Sequence, residues 1–178
     1  MKTLIPITFI LSILLFTISC GDEGPPNDIE DPQVFTFDLS EITPTDANGA
    51  LLGNPDETDW TLDEEWPEII QDLFEDYNSY EHTCPASNDL IIYPAYPNPG
   101  SGVFSISMER PTDSTFDLLL VNQFGAILGE SLDITGNNIS ISTEQLVPEQ
   151  DSFVRVYYRL TTIDNCAFLG HGDIQLKS

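Results

Sequence analysis

The sequence predicts a mainly β protein: a small antiparallel Ig-like β-sandwich of about seven strands, with one N-terminal amphipathic helix and an extended acidic tether. Three observations predict it. From Leu90 onward, short runs of alternating apolar and polar residues recur at close intervals with turn residues between them. Upstream of these, one stretch carries apolar residues at helical spacing. Hydrophobic residues make up 40% of the chain and aromatics 10%, which is enough apolar material for a core.

In chain order, residues 1–19 read as a leader. Lys2 supplies a short positive head, and Leu4 to Ile18 is largely apolar yet too short to span a bilayer comfortably. Residues 20–33 form a flexible acidic tether, because Gly21 to Pro32 combines proline, glycine and carboxylates and cannot bury enough surface to fold. Residues 34–89 form an acidic segment with one strand and one helix. Val34 to Leu39 alternates as a strand, and Thr61 to Tyr77 places Trp66, Ile69, Ile70, Leu73, Phe74 and Tyr77 at helix-like spacing. Thr61 and Glu64 could form a capping box, and the aromatic stripe is expected to pack against a sheet. Residues 90–178 make the sandwich. Its strands are expected at Val103–Met108, Phe116–Val121, Ala126–Leu128, Ile139–Ile141, Ser152–Thr162, Cys166–Leu169 and Ile174–Leu176.

Charge narrows the partners. The chain has 30 Asp and Glu against 5 Lys and Arg, a formal net charge of −25, so it lacks the basic stripe that binding nucleic acid requires. The acidic residues concentrate early: 20 of them fall between Cys20 and Asp89.

Cysteine arithmetic sets the compartment. Three cysteines are an odd number, and assigning Cys20 to the end of the leader leaves Cys84 and Cys166 to pair in an oxidising compartment. Such a bridge would contribute about 4–5 kcal/mol in the chain-entropy account. The alternative is a zinc site from His82, Cys84, Cys166 and His171, although His-x-Cys and Cys-x4-His are not recurrent zinc spacings.

Two resemblances then give the chain an address. Thr17-Ile18-Ser19-Cys20-Gly21 at the end of an apolar core resembles the lipobox of bacterial lipoproteins, which implies acylation of Cys20; Thr17 stands where the usual box has Leu. Asp22 and Glu23 directly after it resemble the export tract of surface lipoproteins in the Bacteroidetes group. Tyr93-Pro-Ala-Tyr96-Pro97-Asn98-Pro99-Gly100-Ser-Gly102-Val-Phe104 is similar to the opening of the C-terminal sorting domain of type IX secretion (Por) cargo, and Leu118 to Leu128, with Gly125 in its turn, resembles that family's second motif. The resemblance covers about Tyr93 to Ser178 and implies a β-sandwich whose motif residues are Tyr96, Pro97, Asn98, Pro99, Gly102 and Gly125. Asn122 stands where the family often has Asp, and cargo of that pathway carries a plain signal peptide where this chain has a lipobox.

Candidate chemistry is sparse. His171-Gly172-Asp173 offers a base and an acid, but no Gly-x-Ser-x-Gly elbow or Gly-rich phosphate loop accompanies them. Asp63, Glu64, Glu65, Asp56 and Asp59 could attract calcium, yet no EF-hand spacing is present. On the long strand, Arg155, Tyr157 and Arg159 share one face and could grip a carboxylate or sugar; the competing reading pairs these arginines with carboxylates of the same chain. No catalytic residue, cofactor or metal is implied. The sequence points to a lipid-anchored envelope protein, in the outer membrane and either periplasmic or surface-exposed, with a non-catalytic role in display, secretion or assembly alongside envelope proteins. The alternative is a surface capture lipoprotein that holds a glycan or peptide on the sandwich face.

Overall fold

A computed structural model of the chain describes residues 42–74, 76–85, 89–122, 124–144 and 152–177. The leader, Cys20, the tether and the strand expected at Val34–Leu39 lie outside the described residues. The elements are β1 (Thr61–Asp63), the one-turn helix α1 (Glu68–Gln71), a 3-10 turn at Tyr77–Ser79, β2 (Ile91–Ile92), β3 (Val103–Glu109), β4 (Thr115–Asn122), β5 (Ile127–Ile134), β6 (Asn138–Ser142), β7 (Ser152–Thr161) and β8 (Ala167–Leu176). They form two antiparallel sheets: a five-stranded one ordered β1-β8-β7-β4-β5 and a three-stranded one ordered β2-β3-β6. The mainly β sandwich that the alternating runs predict is the fold.

The period-2 faces explain the layers. Phe104, Ile106 and Met108 of β3 and Ile141 of β6 meet Phe116, Leu118 and Leu120 of β4, Val154, Val156, Tyr158 and Leu160 of β7, and Ile174 and Leu176 of β8. All are buried between the sheets. The opposite face of the large sheet has a second core. There Leu119, Val121, Tyr157 and Leu169 are covered by Trp66, Ile70, Phe74 and Tyr77. Segment 64–84 therefore lies as a strap across the large sheet, and complete burial of an apolar side chain of this size contributes about 1.5–3 kcal/mol.

The described part of the acidic segment, from residue 42 on, is thus part of the same body as the strands that follow it. The aromatic stripe packs on the sheet as its spacing predicts, but not as a long helix. Thr61–Asp63 is captured by the edge of β8, and the Thr61 hydroxyl donates to the Thr58 carbonyl (3.1 Å) where a capping box would have used it. Pro67 then stands at the helix N-cap without a side-chain cap. At the other end no basic residue offsets the helix dipole, and Asp76 takes a left-handed φ of 62°. One turn is what remains.

A second correction concerns the C-terminal run. Cys166–Leu169 and Ile174–Leu176 are not two strands around a break: β8 runs continuously from Ala167 to Leu176, with its glycines inside it. These glycines make room. A Cβ on Gly172 would overlap the Trp60 ring, and one on Gly170 would overlap both the Thr61 carbonyl oxygen and the Tyr158 ring. The Tyr158 hydroxyl donates to that same carbonyl at 2.7 Å, so neither neighbour is free to withdraw. Gly170→Ala should accordingly lower the unfolding free energy by about 3 kcal/mol, the upper part of the usual range for overpacking. A urea titration reads this directly, and an unchanged midpoint would mean that β1 gives way at no cost.

Candidate functional site at the edge of the large sheet

The Tyr-Pro-Asn-Pro segment enters the sandwich beside β3, where Tyr96 exchanges backbone hydrogen bonds with Ser105 (2.8 and 2.9 Å). Both X-Pro bonds, Tyr96–Pro97 and Asn98–Pro99, are cis. Asn98 is completely buried, at 0% exposure. Its backbone pairs with Thr45, whose N–H donates to the Asn98 carbonyl at 2.7 Å. Its side chain faces the outer edge of β8. There Nδ2 donates to the Asp173 carbonyl (2.8 Å) and to the Thr43 carbonyl (3.2 Å), and Oδ1 accepts from the Gln175 N–H (3.0 Å). A side-chain amide has the same donor and acceptor as a peptide group, so Asn98 occupies a rung that a further strand would otherwise fill.

The neighbouring rungs are completed in the same way. The Trp60 N–H donates to the His171 carbonyl (2.9 Å), the Asp173 N–H to Asp59 Oδ1 (2.6 Å), and the Gly100 N–H to the Gln175 carbonyl (3.1 Å). The Lys177 N–H returns to the Gly100 carbonyl (2.8 Å). Asp59 also accepts from the Thr43 N–H through Oδ2 (2.7 Å). Burial pushes the Asp59 carboxyl up to about 6; the nearby Asp173 carboxylate adds to that push, and the two backbone donors oppose it.

Asp173 joins this edge to the basic face of β7. Its carboxylate receives Arg155 in a two-pronged pair, Nε at 2.8 Å and Nη2 at 2.6 Å. Arg159 pairs with Asp117 of β4, Nε and Nη2 both donating to Oδ2 at 3.0 and 2.6 Å, and lies over the Phe74 and Tyr80 rings at 5.2 and 4.8 Å. Tyr157 is 2% exposed beneath the edge of the Trp66 ring, and burial pushes its phenol up to about 12. The Arg155, Tyr157 and Arg159 face is therefore not an open platform for a glycan or peptide. It is the floor under the strap, and its arginines take carboxylates of their own chain. Alternation gave the correct face, but it carried no information on what covers that face.

The remaining candidates are employed within the chain. Cys84 and Cys166 form a disulfide with their Cα atoms 5.9 Å apart, so the zinc alternative lacks its two thiolates. Beside the bridge, Glu81 accepts from the Ala167 N–H at 2.9 Å, which fastens the end of the strap to the start of β8. His82 bonds the Tyr77 carbonyl through Nε2 (2.9 Å) and stacks on the Tyr77 ring. His171 Nδ1 meets the Asp63 carboxylate at 2.8 Å, whereas the Asp173 expected beside it points to Arg155. The two residues are two positions apart on β8 and so share a face, but each is taken by a different neighbour, Asp63 for His171 and Arg155 for Asp173. Asp63 also accepts from Trp66 Nε1 (3.0 Å), and Asp56 closes a turn on Thr58 (2.9 Å). No cluster of three metal-ligating side chains occurs among the described residues.

Gly102 and Gly125 adopt φ of +85° and +79°. Gly102 offers its carbonyl to the Thr143 N–H (2.7 Å), and Gly125 closes the β4–β5 hairpin, away from Asn98. In that hairpin Asn122 Oδ1 accepts from the Phe124 and Ala126 N–H groups, both at 2.9 Å. Thr43, Thr45, Asp59 and Asp173 were not marked as partners of the motif by any spacing in the sequence; buried polar residues that serve a distant edge leave no local period. No protein-family model matches the chain, and no curated protein matches it.

Two outcomes follow from this edge. Asn98→Leu, similar in volume, would strand the Asp173 carbonyl and the Gln175 N–H without partners and should lower the unfolding free energy by about 2–5 kcal/mol, read by thermal or urea unfolding. Asp59 gives a pH signature. Its folded value of about 6 lies above its ordinary 3.8, so the native state holds the proton more tightly. Its contribution is complete below about pH 4 and is lost as pH rises through 6, a decline of about 3 kcal/mol. The difference between wild type and Asp59→Asn in unfolding free energy, measured from pH 3 to pH 8, should show that decline. A difference that is flat with pH would mean that Asp59 ionises normally in the folded protein.

Proposed function

We propose that the protein is a lipid-anchored component of a Bacteroidetes-type cell envelope, whose sandwich serves display, secretion or assembly and not catalysis. The observation that carries this reading is the Cys84–Cys166 disulfide. It belongs to an oxidising compartment, and it leaves Cys20 as the remaining cysteine, at the end of an apolar leader. Acyl chains gain about 0.8 kcal/mol per buried CH₂, so more than one chain on Cys20 suffices for stable anchoring.

The sorting resemblance supports the role. Its most distinctive residue, Asn98, is built into the edge of the sandwich, and the second motif forms the β4–β5 hairpin. A module of this kind acts through where it is carried. The capture alternative drew on the Arg155, Tyr157 and Arg159 face; with the strap on that face, it has no specific observation in its favour there.

The test is labelling of cells with a fatty-acid analogue, combined with protease shaving of whole cells. Wild type should carry the label and be shaved, while Cys20→Ala should be unlabelled and released from the membrane fraction. In parallel, a soluble reporter joined to residues 34–178 behind a plain signal peptide should reach the surface. Label persisting on Cys20→Ala would end the anchoring reading, and a reporter retained in the periplasm would end the sorting reading.

A further inference from the structure

The two flanks of the large sheet are finished differently. At β8 the outward rungs are closed by β1 and then by Trp60, Asp59, Asn98 and Gly100. At the other flank, β5 pairs with β4 alone, and among the described residues no strand, capping amide or carboxylate fills its outer rungs. This edge is also apolar. Ile127 is 47% exposed, Leu132 is 54% exposed, and Phe124 in the adjoining hairpin is 72% exposed. The strap stops short of it, which leaves a cavity of about 340 Å³ between Leu73 and Phe74 on one side and Leu132 on the other. Asp76, Glu130 and Asp133 lie around this cavity, and Arg159 in it is already paired to Asp117.

We propose that the β5 edge and the groove beside it bind an extended, basic segment of another polypeptide, which adds as a short sixth strand and places a lysine or arginine side chain in the groove. Strand addition draws affinity from main-chain hydrogen bonds and selectivity from side-chain pockets, and this flank offers both. Charge selects the occupant. A second copy of the chain brings the same net −25 and sets Glu130 and Asp133 against their own counterparts. The residues preceding the described body carry the same sign: between Cys20 and Glu41 there are seven carboxylates and no lysine or arginine. The backbone argues likewise against self-pairing. The β4–β5 register shifts between Leu120 and Val121 and again between Phe116 and Leu118, with Asp133 at φ 55° and its N–H held by Asp117 Oδ1 (2.9 Å). These bulges confine regular pairing to Gly129–Ser131, too short for edge-to-edge stacking of copies but long enough for a peptide that also uses the groove. A basic partner is in addition steered toward a strongly acidic protein. The inference is separate from the anchoring role and stands whether or not Cys20 is acylated.

The experiment titrates the purified full-length protein into a fluorescein-labelled peptide of sequence Lys-Val-Thr-Val-Lys-Val-Thr. Controls are the same peptide with Glu for Lys and one with a central Pro that cannot pair as a strand. The Lys peptide should bind, both controls should bind at least about tenfold more weakly, and a Glu130→Lys, Asp133→Lys variant with unchanged melting temperature should lose about tenfold in affinity. Amide exchange at Gly129–Ser131 should slow when the Lys peptide is present. No binding at about 1 mM, a strength at which most specific interfaces are saturated, overturns the proposal. So does binding in which the Pro control matches the Lys peptide, because that is attraction to net charge alone. Slowed exchange at β5 that appears with rising protein concentration and no peptide overturns it in favour of a second copy.

Discussion

The architecture turns on a substitution of side-chain amide for backbone. β8 lies in the large sheet with β7 on one side and only the three residues of β1 on the other, so most of its outward N–H and C=O groups would be left unpaired. Leaving a buried backbone group without a partner costs about 1–3 kcal/mol each. Asn98 and Asp59 meet that demand from two distant parts of the chain, one in a proline-rich entry to β3 and the other in the acidic half. The same contacts bring residues 43–45, the Trp60 ring and the start of β1 into place. A sheet edge that could have been a site of association is closed by the protein's own side chains.

The acidic excess acquires structure by the same route. Asp173, Asp117 and Asp63 lie on one face of the large sheet and hold Arg155, Arg159 and His171 respectively. Desolvated pairs of this kind contribute little net stability compared with apolar residues of the same shape, but removing one member leaves a buried charge. Their effect here is to fix the register between β4, β7 and β8 and to make the floor on which the strap rests. The strap supplies aromatic rings, Phe74 and Tyr80 over Arg159 and Trp66 edge-on to Tyr157, so this acidic segment contributes apolar cover as well as charge.

Much of this was legible. Alternation located β3, β4, β6 and β7 to within a residue or two and assigned their inner faces, because a half-buried strand leaves a period of two that survives without context. The odd cysteine count gave the Cys84–Cys166 bridge. The helix over Thr61–Tyr77 was over-read, since its spacing of apolar residues reflects cover on a sheet, and Thr61–Asp63 had a stronger use in the edge of β8. The runs Cys166–Leu169 and Ile174–Leu176 are one strand, and only the positions of Trp60 and Tyr158 show that the glycines between them are what the packing needs. The Arg155, Tyr157 and Arg159 face was located correctly and its arginines do pair with carboxylates of the same chain, but a strand's alternation says nothing about what covers that face. Asn98 stood out by its prolines, but what it bonds is set by residues 75 positions away.

The position of β8 in the chain has a temporal consequence. Asp59, Trp60, β1, Asn98, Gly100 and the disulfide all join residues between Leu169 and Lys177 or, for the bridge, Cys166. Each of these joins waits for a strand that follows every other element in order of emergence. In synthesis from the amino end the carboxylate-rich portion therefore emerges first, and the knot is drawn only when the final strand arrives. Emergence and closure are kept apart by the order of the residues themselves.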